Sequence, residues 1–558
     1  MIGVFRVIAR VFAILCLCWA MLFTPSPSRA DGLYIGLAGI ADWSTQHPFL
    51  DLMKTARPWI GHMPGQWGGV SFEDLQARDL LDDNGWPTAV PSDVVALEAL
   101  ILTDQPEEAE HLQGQYHVFY DGTGRFEVTG RGRVISREDG HHVFTYTPGG
   151  GLIGLRITDT NPTDPIRNIR VVKDEHLARF EAGEVFNPVW LDRLDGAMGL
   201  RFMDWMGTND SAVQTVDDMA STEDFSYVWR GVPLPVMVDL ANALDVNAWF
   251  NIPHLADDAL VERMAQDVEA GLEPDRVVYV EYSNEVWNFI FEQARWAQAQ
   301  AEDRWGDIGD GWMQFYGMRA AQVMDIWSNV FGASADDRLV RVVGAHTGWP
   351  GLEEPMLRGE LAREALGRDP VESFDAYAVT GYFGYDLSDP AATEALLDAD
   401  EASARAAGEA EGLSRVALRE YVKRNRFEGA FDDAAQLVRD GTMAELVSEA
   451  WPYHADAARK AGLSMIMYEG GTHAAANWDA VENERLVAFL TAFNYSDAMG
   501  ALYAEALQAW SDIADAPFNA FVDVAPPSQW GSWGALRHLD DDNPRWQVLQ
   551  SQMTTVGD

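Results

Sequence analysis

Past residue 30 the chain contains no cysteine: its two, Cys16 and Cys18, both lie in the first thirty residues. Disulfides and cysteine-ligated metals are therefore excluded from the body of the protein, whose stability must come from an apolar core. At 558 residues the chain is long enough to bury a large one. Positive charge is scarce too. Forty Lys+Arg face 87 Asp+Glu, a net charge of −47, and Arg6, Arg10 and Arg29 fall in the N-terminal segment. Such a field repels nucleic acid, anionic membranes and polyanionic polymers, so no nucleic-acid partner is expected. It suits a salty medium, where screening makes self-repulsion tolerable. No apolar run after residue 23 approaches membrane-spanning length. Also missing are an H-E-x-x-H pair, a G-x-S-x-G elbow and a phosphate loop. No metal and no cofactor is expected, and Asp540-Asp541-Asp542 reads as a solvated acidic loop rather than a calcium site.

What the chain does have begins with a leader. Arg6 and Arg10 precede an apolar run over 11–23, Pro25 breaks it, and Ser28-Arg29-Ala30 is a small-x-small cleavage site. Residues 1–30 are read as a secretory signal peptide. The expected location is periplasmic or extracellular, with no membrane attachment after cleavage.

Apolar, β-branched runs alternate with amphipathic helical stretches over most of the rest. The strand runs are LYIGLAGIAD (33–42), LRFMDWM (200–206), VNAWFNIPH (246–254), VVYVEYSNE (277–285), LVRVVGAHT (339–347), FDAYAVTGYFGY (374–385), SMIMYEGGTH (464–473) and FNAFVDVAPPSQWGSWG (518–534). Eight β-then-α units predict a closed (β/α)8 TIM barrel, an α/β fold, over 31–71 and 173–558. Between its first two strands the pattern changes. Residues 72–172 carry short alternating runs separated by Asp-Gly and Gly-Gly turns, which predicts an inserted all-β, sandwich-like module after strand one. Gly149–Gly151 falls in one of these turns. A second long insertion, 386–463, is acidic, Ala-rich and helical; it reads either as packing helices or as a lid over the barrel mouth.

The chemistry sits at strand ends. In RVVYVEYSNEVWN (276–288) a buried-strand pattern ends in Ser283, Asn284 and Glu285, which no buried strand carries idly. Strand alternation places Glu281, Ser283 and Glu285 on one face. A second strand-end carboxylate, Glu469, lies in SMIMYEGGTH. Barrel enzymes carry their reactive groups at this end of the strands. Two carboxylates there are the minimum equipment for acid–base cleavage of a glycosidic bond.

Glu281-Tyr-Ser-Asn-Glu285 resembles the E-x-x-N-E signature that ends strand four in glycoside hydrolase clan A, the retaining (β/α)8 enzymes that include family five cellulases and mannanases. The resemblance covers the barrel but not the β-module or the long helical insertion. It implies Glu285 as acid/base, Glu469 as nucleophile and Asn284 as ligand of the sugar 2-hydroxyl. It further implies Arg201 as the cation keeping the nucleophile ionised, Tyr382 as its hydrogen-bond partner (with Tyr385 an alternative), and Trp530 or Trp533 as the floor of the central subsite. His254 and His346 end strands three and five and are candidate sugar ligands; His473 is another. Of the 21 tryptophans, Trp205 and Trp287 also fall at strand ends, where an indole can stack on a pyranose face. The implied activity is secreted retaining hydrolysis of a β-linked glycan, which requires the carboxyls about 5–5.5 Å apart. A non-catalytic polysaccharide-binding barrel and a transglycosylase remodelling envelope polysaccharide are the alternatives. Sequence leaves the oligomeric state open.

Overall fold

The first strand run folds only as far as Gly36, where the small residues of GLAGIAD let the chain turn away. The computed structural model describes residues 32–553, so the expected signal peptide over 1–30 lies outside the described residues. The eight barrel strands are β1 (Leu33–Gly36), β2 (Gly199–Arg201), β3 (Asn247–Ile252), β4 (Val278–Tyr282), β5 (Leu339–Gly344), β6 (Ala376–Phe383), β7 (Ser464–Thr472) and β8 (Phe518–Phe521). They form a closed parallel barrel in sequence order, β8 pairing back onto β1. The strands fall in their expected runs, β2 starting one residue early, but each is shorter, because the polar end of each run leaves the sheet to build the mouth.

Alternation sorts the strand residues. Leu200, Phe250, Val278 and Val280 pack outward with the surrounding helices into one large core. The inward set is aromatic and polar. Tyr34, Trp249 and Tyr279 fill the bottom of the barrel, with Tyr279 edge-on to Tyr34 (5.3 Å) and stacked on Trp249 (5.2 Å). Gly199 has to be glycine here, since a Cβ would run into the Tyr34 ring. Above this plug the inward residues become Arg201, Asn251 and Glu281, and the site begins.

Between β1 and β2 lie two antiparallel sheets. One orders Gly69–Val70, Arg57–His62, Ala96–Ile101, Ile153–Thr160 and Gly124–Gly130; the other orders Arg167–Lys173, Gly114–Asp121, His141–Tyr146 and Arg133–Glu138. They share one apolar core that includes Trp59, Leu97, Ile101, Phe126, Tyr116, Val118 and Phe144. Pairing begins at Arg57, ahead of residue 72, because Pro and Gly in RPWIGHMPGQWGGV hide the alternation of the strands there. The sheets are tied to the barrel side by polar contacts. His111 donates its backbone N–H to Asp540 and pairs its ring Nδ1 with the same carboxylate at 2.8 Å. Asp541 is buried and accepts from Arg537. The run is thus exposed at Asp540 and Asp542, as expected of a solvated loop, while Asp541 is buried and Asp540 also ties the loop to His111.

The insertion after β6 is helical: Pro390–Ala410, Arg415–Asn425, Phe431–Val438, then two wide π-type turns over Arg439–Met443 and Leu446–Ala450, and Trp451–Ala461. Trp451 is fully buried and donates to the carbonyl of Thr380, which locks this end onto β6. No helix among the described residues is long and apolar enough to cross a membrane.

Candidate active site

Glu285 and Glu469 line one cleft of about 580 Å³ at the C-terminal mouth of the barrel. They reach it by different backbone devices. Strand alternation does not deliver Glu285: β4 ends at Tyr282, and Ser283 (φ +59°) and Glu285 (φ +43°) are both left-handed. Two non-glycine residues in that region within three positions store strain of a kind that concentrates at functional sites. The next helix starts only at Glu292, so Glu285 belongs to the loop rather than to a first helical turn. Its carboxylate accepts from Tyr468 Oη (2.9 Å) and from Asn288 Nδ2 (2.9 Å).

Glu469 is placed by an irregularity in β7. The β6–β7 register runs Val379↔Met467 and then Thr380↔Glu469, leaving Tyr468 as an extra residue. A bulge of this kind re-aims side chains. Here it lets two consecutive residues, Tyr468 and Glu469, both line the cleft. Tyr382 Oη donates to Glu469 Oε2 at 2.8 Å, and Arg201 Nη1 donates to Oε1 at 2.6 Å.

Arg201 is divided between two acids. Its Nε and Nη2 also donate to Glu281 Oε2 (3.3 and 2.8 Å), and Nη2 to Asn284 Oδ1 (2.9 Å). Glu281 further accepts from Trp249 Nε1 and Asn251 Nδ2, so it is the better-satisfied partner. With both carboxylates ionised this buried group would carry one uncompensated negative charge. Burial accordingly pushes the Glu469 carboxyl up to about 7; Arg201 and the Tyr382 hydroxyl pull it down, and Glu285 pushes it further up. The expected role of Arg201 in keeping Glu469 ionised is thus outweighed below neutrality.

The other expected residues divide. His346, Tyr382, Trp287 and Trp533 line the cleft, as do Tyr385 and His473. His473 packs on Tyr385 (3.9 Å between rings) and edge-on to Trp533 (5.1 Å), and burial lowers its pKa to about 4, so it is a neutral ring. Asn284 lies behind the lining, held between Arg201 and the Asn209 side chain. His254 is buried edge-on to Trp296, away from the lining. Trp205 is buried, stacks on Trp190 (5.6 Å) and borders a separate hollow beside Asn209. Trp530 stands outside the cleft, half-exposed against Trp478. Sequence reasoning missed Tyr468 and Asn288, which hold Glu285; it offered the insertion as packing helices or a lid over the mouth without naming Thr442, Glu445, Leu446 and Ala450, which line the cleft. Only the Asn three residues past Glu285 carried a local signal.

The Tyr382 bond favours the charged form of Glu469. Tyr382→Phe is therefore expected to move the ascending limb of the kcat/KM–pH profile to higher pH and to lower activity about ten- to hundredfold, in line with the loss of a hydrogen bond to a charged group. An unmoved limb would mean that Tyr382 does not set the ionisation of Glu469.

No family model matches the chain, and no curated protein matches it. Among solved structures, the chain is similar to one described as a fungal β-1,4-galactanase, at 11% identity over 67% of this chain and 96% of that one, with a TM-score of 0.31. A likeness that slight carries no weight for activity, and the fold assignment rests on the barrel's own strand order.

Proposed function

We propose that this chain is an exported glycoside hydrolase of the clan A type that cleaves β-linked glycans with retention of configuration. The observation that carries the reading is the pair itself: Glu285 and Glu469, from the ends of β4 and β7, share one cleft, and each carboxylate is held by a tyrosine hydroxyl.

In this reading a Glu469 oxygen attacks the anomeric carbon as the glycosidic C–O bond breaks, and Glu285 gives its proton to the departing oxygen. Glu285, now a carboxylate, takes a proton from water. The water oxygen attacks the same carbon and Glu469 leaves, restoring both groups. Tyr382 and Arg201 hold Glu469 in line. Trp533 and Trp287 offer indole surface to the sugar rings. The nucleophile must be ionised, so activity should rise with pH through about 7, where Glu469 loses its proton.

The test is a panel of β-linked glycans incubated with purified protein, with the product anomer followed by NMR. Hydrolysis giving the β-anomer first is expected. Absence of hydrolysis on every member, with binding retained, would leave a polysaccharide-binding barrel instead; dominance of transfer products at high acceptor concentration would favour a transglycosylase.

A further inference from the structure

The insertion after β6 does more than cover a side of the barrel. Asp386, just beyond β6, accepts from the backbone N–H of Thr442 at 3.1 Å and from its hydroxyl, and that hydroxyl accepts from the N–H of Gly384 at 2.9 Å. The clamp depends on Gly441, whose backbone is non-helical (φ −102°, ψ −114°) and where a Cβ would collide with an Asp386 oxygen. The clamp thus fixes a kink at Gly441 in the first of the two turns. Between the two turns stands Glu445. It is exposed, lines the cleft, and has no hydrogen-bond or ion-pair partner among the described residues.

The rest of the lining gives this carboxylate its meaning. Three glutamates, Glu285, Glu445 and Glu469, face the cleft, and no lysine or arginine is among its lining residues. Arg201, the cation bonded to Glu469, is buried and shared with Glu281. Glu285 and Glu469 are occupied by the proposed chemistry. Glu445 is not, yet the fold fixes its turn against the cleft.

We propose that Glu445 is a specificity-determining residue that selects glycans bearing protonated amino groups and rejects those bearing uronates. A sugar ammonium beside Glu445 gains an ion pair, whereas a carboxylate there meets like charge with no cation to offset it. The inference deepens the hydrolase reading and rests on the same cleft.

The test uses the full-length Glu469→Gln protein on an array of β-linked oligosaccharides in neutral, 2-amino and uronate forms. Amine-bearing members should bind about fivefold more tightly than their neutral counterparts, as for one partly exposed ion pair, and the ratio should shrink as salt rises. Glu445→Gln in the same background should bring the ratio to near one, and Glu445→Lys should turn the preference towards uronates. Equal or better binding of neutral or uronate members, no binding at all, or a preference that survives Glu445→Gln would overturn the proposal. The two readings fail separately. Selective amine binding without cleavage by the unmutated protein would sink the hydrolase reading alone; cleavage indifferent to amine content would sink this one alone.

Discussion

Glu469→Gln is expected to reduce turnover by about four orders of magnitude or more and, above neutral pH, to make the protein more stable. The two effects share a cause. The amide that replaces the carboxylate cannot attack an anomeric carbon. It can still accept from Arg201 and keep the Tyr382 contact, so the fold loses little. What the substitution removes is a titration. The Glu469 carboxyl stands at about 7 in the fold against 4.5 for the free group. A folded-state pKa raised in this way means that the folded protein holds the proton more tightly than the unfolded chain. The stability linked to that proton is fully present below about 4.5 and is lost as pH rises through 7. At pH 8.5 the ionised, buried carboxylate should cost about 3 kcal/mol, and the glutamine variant should be free of it. Thermal unfolding at pH 5 and at pH 8.5 checks this: near-coincident Tm values at the lower pH and a higher Tm for the variant at the upper. A variant less stable at pH 8.5 would mean that Arg201 serves Glu469 better than Glu281. Retained turnover would remove Glu469 from the nucleophile's position.

The barrel was legible because its strands are buried on both faces and so read as near-continuous apolar runs. The polar residue ending each run marked the mouth. Glu285 and Glu469 were found in this way, Arg201 and Tyr382 through the resemblance to clan A, and the structure brings Arg201, Tyr382 and Glu469 into contact in the neighbourhood of Glu285. What stayed hidden depends on backbone departures from regular geometry. Tyr468 reads from alternation as facing away from Glu469; only the extra residue in β7 turns both inward. Glu285 reads as an extended strand residue, and its left-handed backbone is not written in side-chain pattern. Asp540 is exposed as read, but its contact with His111 was not legible because the two are more than four hundred residues apart in sequence. That the insertion could cover the mouth was legible, but which of its residues reach the cleft was not: the position of 442–450 is set by a clamp to Asp386, while its composition is that of an ordinary acidic helix.

Arg201→Met is the substitution with the largest expected effect on folding. Arg201 is 1% exposed and is the cation of a buried group with two carboxylates. Methionine fills much of its volume and supplies none of its hydrogen bonds. Removing one partner of a buried pair costs about 3–5 kcal/mol, because the remaining charge stays desolvated. Here two acids are stranded at once, and Trp249 and Tyr468 also lose the guanidinium packed 5.4 and 5.3 Å from their ring centres. The pH dependence separates lost charge from lost packing. Without the cation, burial favours the neutral form of the stranded acids, so the folded variant binds protons more tightly than its unfolded chain. The variant's stability is then greatest at acid pH and falls as rising pH ionises the buried groups. The Tm gap between the native protein and Arg201→Met should therefore widen from pH 5 to pH 8. A constant gap would assign the loss to packing alone. The double variant Arg201→Met/Glu281→Gln should recover part of the stability at pH 8, since it removes one stranded charge, but none of the activity, since Glu469 still lacks its guanidinium. Recovery of both would show that Arg201 serves the fold and not the proposed nucleophile.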